Sequence, residues 1–172
     1  MDNFDKCLIE LLKHEGGFAN HPRDPGGVTM LGVTKRVWED YTGKPATVAD
    51  MRALTEAKVA PLYRDRYWDT VKAGQLPPAL AMCVFDMAVN AGPGRAGKML
   101  QRLVGAAVDG QVGRGTLTKV QAYVGAHGVA EAIKGYQNAR RSFYRALGTF
   151  DVFGKGWLRR VDEVESAALR LI

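Results

Sequence analysis

A carboxylate at the end of an apolar helical stripe, closed off by two glycines, is the feature of this chain best suited to acid–base chemistry: Glu15-Gly16-Gly17-Phe18. At about 100° per residue, Phe4, Leu8, Leu11 and Glu15 fall within roughly 60° of one another. Lys6, Glu10 and Lys13 fall on the opposite side, so Glu15 projects from the buried stripe. Burial and the negative end of a helix dipole both disfavour a charged carboxyl. A carboxyl kept protonated near neutral pH is what a general acid needs. Lys13 and His14 act against this if they lie close. A glutamate frayed into solvent at a helix end would show the same spacing, and position alone leaves both readings open.

The run from Phe18 to Thr34 is rich in turn formers, with Asn-His-Pro, Asp-Pro-Gly-Gly and Leu-Gly in succession. It carries two further candidates, Asp24 and Thr29. An aspartate before Pro-Gly-Gly commonly caps its own turn, so Asp24 has a structural reading beside a catalytic one. Thr29 is either a turn hydroxyl or a group that orients water. Val28, Leu31 and Val33 predict a short hairpin.

Elsewhere, Tyr63, Tyr67 and Trp68 cluster with Arg64, Asp65 and Arg66. Aromatic rings beside polar groups can stack on sugars, but aromatics at helical spacing are more often core. Asp86 and Asn90 are the strongly polar residues of an otherwise apolar run, four apart and on one face. Buried, they must be satisfied by neighbours or by a ligand. The structural reading suits Asp86, and a cleft position suits Asn90 near the helix end.

The elements that must position these groups are helical. A first helix is expected over Asn3 to Glu15, with Asn3 as cap and Gly16-Gly17 as stop. Thr34 and Thr47 read as N-caps of short helices, and Thr55 opens a helix to about Thr70, kinked near Pro61. ALAMCVFDMAVNAG is apolar almost all round, the mark of a central helix packed on several sides. Helices follow over Pro93 to Val104, from an N-cap at Thr116, over Val129 to Leu147 and from Trp157 to the end. The glycine-rich bend near Gly92 to Gly94 divides the chain into 1–92 and 93–172, expected to pack as one unit.

With 47% hydrophobic and 24% charged residues the chain has a globular composition, which excludes a disordered polyelectrolyte. The longest apolar run is too short and broken to span a membrane, so no stable membrane insertion is expected. The N-terminus has neither a basic n-region nor a small-residue cleavage site, which predicts synthesis in the cytoplasm without a signal peptide. Cys7 and Cys83 sit in apolar contexts and read as reduced core thiols; no Cys/His spacing suggests a metal. The net charge of +6 favours a polyanionic partner.

Glu15-Gly16-Gly17-Phe18, Asp24-Pro25-Gly26-Gly27-Val28-Thr29, Leu31-Gly32-Val33-Thr34, Tyr67-Trp68 and Phe85-Asp86-Met87-Ala88-Val89-Asn90 together resemble glycoside hydrolase family 108. These are N-acetylmuramidases of phage and prophage endolysins and of bacterial secretion-activating proteins. The likeness runs over about the first 95 residues, and Val108-Asp109-Gly110, Gly113 and Thr116 resemble the helical peptidoglycan-binding module that usually follows. Phe18 stands where the family often has Tyr. Eight residues separate Glu15 from Asp24, as in the wider phage lysozyme pattern, and four separate Asp24 from Thr29, one fewer than in it.

The resemblance implies a mainly helical, lysozyme-like fold with at most a short hairpin near residues 18–34. It implies cleavage of the β-1,4 bond between N-acetylmuramic acid and N-acetylglucosamine. Glu15 would be the acid, Asp24 the stabilising or water-activating carboxylate and Thr29 a water-orienting hydroxyl. Asn90, Tyr67 and Trp68 would contact substrate. Expected partners are peptidoglycan glycan strands, with no cofactor, no metal and no nucleic acid, and the chain is expected to be a monomer. An endolysin of this kind would reach the periplasm through a holin. A lytic transglycosylase and a catalytically silent wall-binding or secretion-assisting module are the competing readings.

Overall fold

A computed structural model of the chain describes residues 1–20 and 27–172. The fold is mainly helical, as expected. Its centre is α5 (Pro78–Ala91), which starts on Pro78 and buries every residue from Ala79 to Ala88. Proline is tolerated there because the first-turn N–H has no intrahelical partner. Helices α1 (Asn3–Leu12), α6 (Pro93–Val104), α8 (Val129–Arg145) and α9 (Phe150–Leu169) pack against α5. One hydrophobic core therefore runs through both halves of the chain.

Helix α1 is shorter than the sequence predicts. Asp2, not Asn3, caps it, accepting from the Asp5 N–H at 2.8 Å while Asp5 accepts from the Asp2 N–H at 3.1 Å. The regular turns end at Leu12, and Glu15 lies in the bend beyond, so its position owes less to the last turn of a helix than the wheel suggested.

Three short antiparallel strands follow: β1 (Ala19–Asn20), β2 (Val28–Met30) and β3 (Val33–Thr34), in that order across the sheet. Met30 pairs with Val33, leaving Leu31 and Gly32 as a two-residue loop. Both have positive φ, 50° and 75°, as a type I′ hairpin turn requires. Leucine is disfavoured there; the Tyr63 hydroxyl donates to the Leu31 carbonyl at 2.7 Å and holds the turn.

Thr34, Thr47 and Thr55 each cap the next helix, α2 (Lys35–Thr42), α3 (Val48–Arg52) and α4 (Glu56–Tyr63). Pro61 sits inside α4, and the chain then widens into a π-helical turn over Arg64–Trp68. Two boundaries in the second half differ from expectation. Helix α7 (Arg114–His127) begins before Thr116, whose hydroxyl accepts from the buried Gln101 amide at 3.1 Å rather than capping. Helix α9 begins at Phe150, seven residues before the predicted Trp157, because Gly154 lies under the Phe150 ring instead of ending the helix.

Candidate active site

Glu15 stands on the wall of a cleft of about 240 Å³ that also exposes Gly32, Tyr63, Tyr67, Val89 and Asn90. Three structural units converge there: the bend after α1, the hairpin turn, and the C-terminal end of α5. The approach of Glu15 to the turn is close. A Cβ on Gly32 would lie 2.8 Å from Glu15 Oε2 and 2.6 Å from the Tyr63 hydroxyl. Only glycine fits both that contact and the backbone's positive φ.

The other carboxylate oxygen has a fixed partner. Arg160 of α9 donates to Glu15 Oε1 at 3.0 Å. Its guanidinium also donates to Asp86, from Nη2 to Oδ1 at 2.8 Å and from Nε to Oδ2 at 3.1 Å. Asp86 is buried and takes a second cation, Arg140, at 2.6 Å. Burial works against the charge on Asp86, but Arg140 and Arg160 together outweigh it and hold the carboxyl below its ordinary value. Burial likewise opposes the charge on Arg160, and Asp86 and Glu15 more than offset it. The result is a chain of alternating guanidinium and carboxyl groups, Arg140–Asp86–Arg160–Glu15, buried at its first two members and half-buried at its last two, with Glu15 on the cleft wall.

Asn90 is placed by the second half of the chain as well. The Tyr144 hydroxyl of α8 donates to its side-chain oxygen and accepts from Arg140 Nε at 3.2 Å. Tyr144 in turn stacks on Trp157 of α9, with ring centroids 5.3 Å apart. A second hollow, lined by His14, Trp157 and Arg160, shares Asn90 with the Glu15 cleft. Burial raises the Tyr63 phenol well above its ordinary value, with the negative charge of Glu15 adding to the shift. Tyr63 is therefore a hydrogen-bond donor at every working pH.

Of the residues that the sequence singled out, Glu15, Tyr67 and Asn90 meet in this cleft. Thr29 occupies the middle of β2, opposite Ala19 and Thr34. Asp24 lies outside the described residues. Trp68 is not a substrate contact: it is 3% exposed, with its ring packed edge-on between Phe4 and Phe85 at 5.4 and 5.3 Å. Tyr67 faces the cleft while its neighbour turns into the core, as adjacent residues on a helical turn must. Phe18 keeps its ring occupied without a hydroxyl, lying 3.9 Å beneath the Arg52 guanidinium. Arg160 went unremarked in the sequence, while Tyr63 and Gly32 stood out there only as members of an aromatic cluster and of a family motif. The one available signal was that a buried Asp86 demands a cation. Among the described residues, no group of three or more His, Cys, Asp and Glu side chains could hold a metal ion, and no helix is long and apolar enough to cross a membrane.

Among the described residues, the cleft presents one carboxyl, flanked by an amide and two phenols. Comparison with known proteins identifies the family. The family model described as glycosyl hydrolase 108 matches residues 8–92, and the one described as predicted peptidoglycan domain matches residues 95–162. Among solved structures, SagA of Brucella abortus superposes with a TM-score of 0.83 at 38% identity, covering 97% of this chain and 94% of that one. A search of curated proteins gives no match. A glutamate-bearing cleft, a matching N-terminal model and a relative similar over nearly its whole length lead to one assignment: the chain belongs to the glycosyl hydrolase 108 family and is a peptidoglycan-acting glycoside hydrolase.

Proposed function

We propose that the protein is an N-acetylmuramidase, hydrolysing the β-1,4 bond between N-acetylmuramic acid and N-acetylglucosamine. Glu15 protonates the glycosidic oxygen as the bond breaks, and Asp24 stabilises the oxocarbenium-like centre or activates the attacking water. Thr29 orients that water, while Asn90 and Tyr67 hold the sugar. The observation that carries this reading is the tethering of Glu15 by a single oxygen. Arg160 engages Oε1, and Oε2 lies over Gly32 at the cleft. A carboxyl anchored this way keeps one oxygen aimed at a ligand, which orientation-dependent proton transfer requires.

The test is digestion of purified peptidoglycan by the wild type and by Glu15→Gln, followed by reducing-end and mass analysis. Hydrolysed products carrying N-acetylmuramic acid at the new reducing end support the reading. Anhydro products indicate a transglycosylase, and new ends on N-acetylglucosamine indicate a glucosaminidase. Lysis by a folded Glu15→Gln variant removes Glu15 from the role. The same reading extends to host-cell lysis, with release to the periplasm by a separately encoded holin. Culture turbidity on coexpression with and without a holin tests that step.

A further inference from the structure

A groove of about 810 Å³, larger than the Glu15 cleft, runs between α6 and α8, lined by Arg95, Lys98, Arg102, Asp109, Ser142 and Phe143 among others. Arg95, Lys98 and Arg102 recur every three to four residues along α6, so they form one cationic stripe. None of the three is in an ion pair among the described residues. Arg95 keeps its place by donating to the Ala91 carbonyl at 3.0 Å, with its guanidinium 4.9 Å from the Phe143 ring centre.

Asp109, the one carboxylate among the described residues of the groove, is held there by a buried network. Gln101 is 1% exposed, and its amide nitrogen donates to Asp109 Oδ1 at 2.7 Å, to the Gln111 carbonyl at 3.1 Å and to Thr116 at 3.1 Å. Its amide oxygen accepts from the Gly110 N–H at 2.8 Å. The loop is pressed onto α6 at two glycines. A Cβ on Gly97 would lie 2.6 Å from the Gly110 carbonyl, and one on Gly110 would lie 2.9 Å from the Gly94 carbonyl. Gln101 and the Gln111 N–H both favour the charged form of Asp109. The groove thus presents a line of unpaired cations beside one fixed anion.

We propose that this groove binds the stem peptide of peptidoglycan, its carboxylates meeting Arg95, Lys98 and Arg102 and its free side-chain ammonium meeting Asp109. The proposal rests on the reading that the chain acts on peptidoglycan. The glycan backbone offers no ammonium, whereas a stem peptide with a diamino acid carries both charges on one short chain. A nucleic acid would match the cations but be repelled by Asp109.

The experiment uses the full chain carrying Glu15→Gln, so that the polymer survives, and measures pelleting on two materials. One is intact peptidoglycan whose stem peptides contain a free amine. The other is the same material stripped of its peptides by an amidase. Replacing Arg95, Lys98 and Arg102 together by Gln should weaken pelleting on the intact polymer roughly tenfold or more, given the strength of charged hydrogen bonds. Pelleting on stripped strands should not change. Equal binding of parent and variant to the intact polymer overturns the proposal, and so does an equal loss on both materials. Single reversals, Lys98→Glu and Arg102→Glu, give a second route on exposed side chains and should each weaken binding to the intact polymer alone.

Asp109→Asn keeps an acceptor for Gln101 and removes the charge. It should weaken binding of a soluble stem peptide with a free amine and leave binding of the N-acetylated peptide unchanged; equal losses sink the ammonium assignment. Reducing-end release from intact peptidoglycan, with Glu15 restored, reports on the muramidase reading separately. If the wild type releases none, that reading fails while pelleting still decides the groove.

Discussion

Arg160 and Glu15 are 145 positions apart in sequence and 3.0 Å apart in space. Helix α9 therefore orients the carboxyl proposed as the acid. Lysine at position 160 keeps the charge but cannot serve two carboxylates with a planar fork. Arg160→Lys should lower kcat by about 10- to 100-fold, the scale of a small misplacement at a reacting centre, with KM nearly unchanged. Steady-state kinetics on soluble glycan strands would check the split.

Glu15→Gln removes the proposed proton donor while preserving size. Turnover should fall by about 10²- to 10⁴-fold, the range for general acid–base groups. The thermal midpoint should stay within a few degrees, since Arg160 retains Asp86. A calorimetric scan beside a reducing-end assay separates the two effects.

Asp86 is predicted to govern stability rather than catalysis. Asp86→Ala leaves Arg140 buried without a counter-ion, and breaking such a pair costs about 3–5 kcal/mol. The sign of the pH effect follows from its carboxyl lying below the ordinary 3.8 in the folded state. Its contribution is in place above that value and is lost as pH falls through the lower folded one. Denaturant melts of the wild type between pH 2 and 5 should show this slope, and Asp86→Asn should lack it.

Gly32→Ala should damage activity more than its size suggests. The methyl group meets Tyr63 and Glu15 within 3 Å, at a φ of 75°. Positive-φ strain alone costs on the order of 1–3 kcal/mol, and the displaced carboxyl should remove most turnover. Urea titration and glycan-strand assays on the same preparation would measure both.

Cys7 and Cys83 should be inert until the protein unfolds. Burial pushes the Cys7 thiol up to about 12, and it raises Cys83 further. Thiol titration at pH 8 should find neither in buffer and both in denaturant.

Local chemistry was legible in the sequence. Thr34, Thr47 and Thr55 cap where hydroxyls before helical runs should, and the uniform apolarity of α5 marks it as the centre. What local pattern could not reveal was long-range pairing. Asp86 announces a need for a counter-charge, but Arg140 and Arg160 lie 54 and 74 residues away with no spacing to betray them. Gly154 resembles a helix breaker until Phe150 is seen folded over it. Thr116 resembles a cap until Gln101 claims its hydroxyl. Trp68 could not be told from Tyr67 because both are aromatics in one polar run, and only packing against Phe4 and Phe85 decides which of them is core.

The charge chain from Arg140 through Asp86 to Arg160 and Glu15 constrains how such proteins can be shuffled. A wall-binding segment joined by a flexible tether can be traded between enzymes without touching the chemistry. Here, a replacement for the segment after Gly92 would have to supply Arg140, Tyr144 and Arg160 at the right places. The two parts are bound to change together, and grafting a foreign targeting segment onto this hydrolase should start from an addition at the C-terminus, not an exchange.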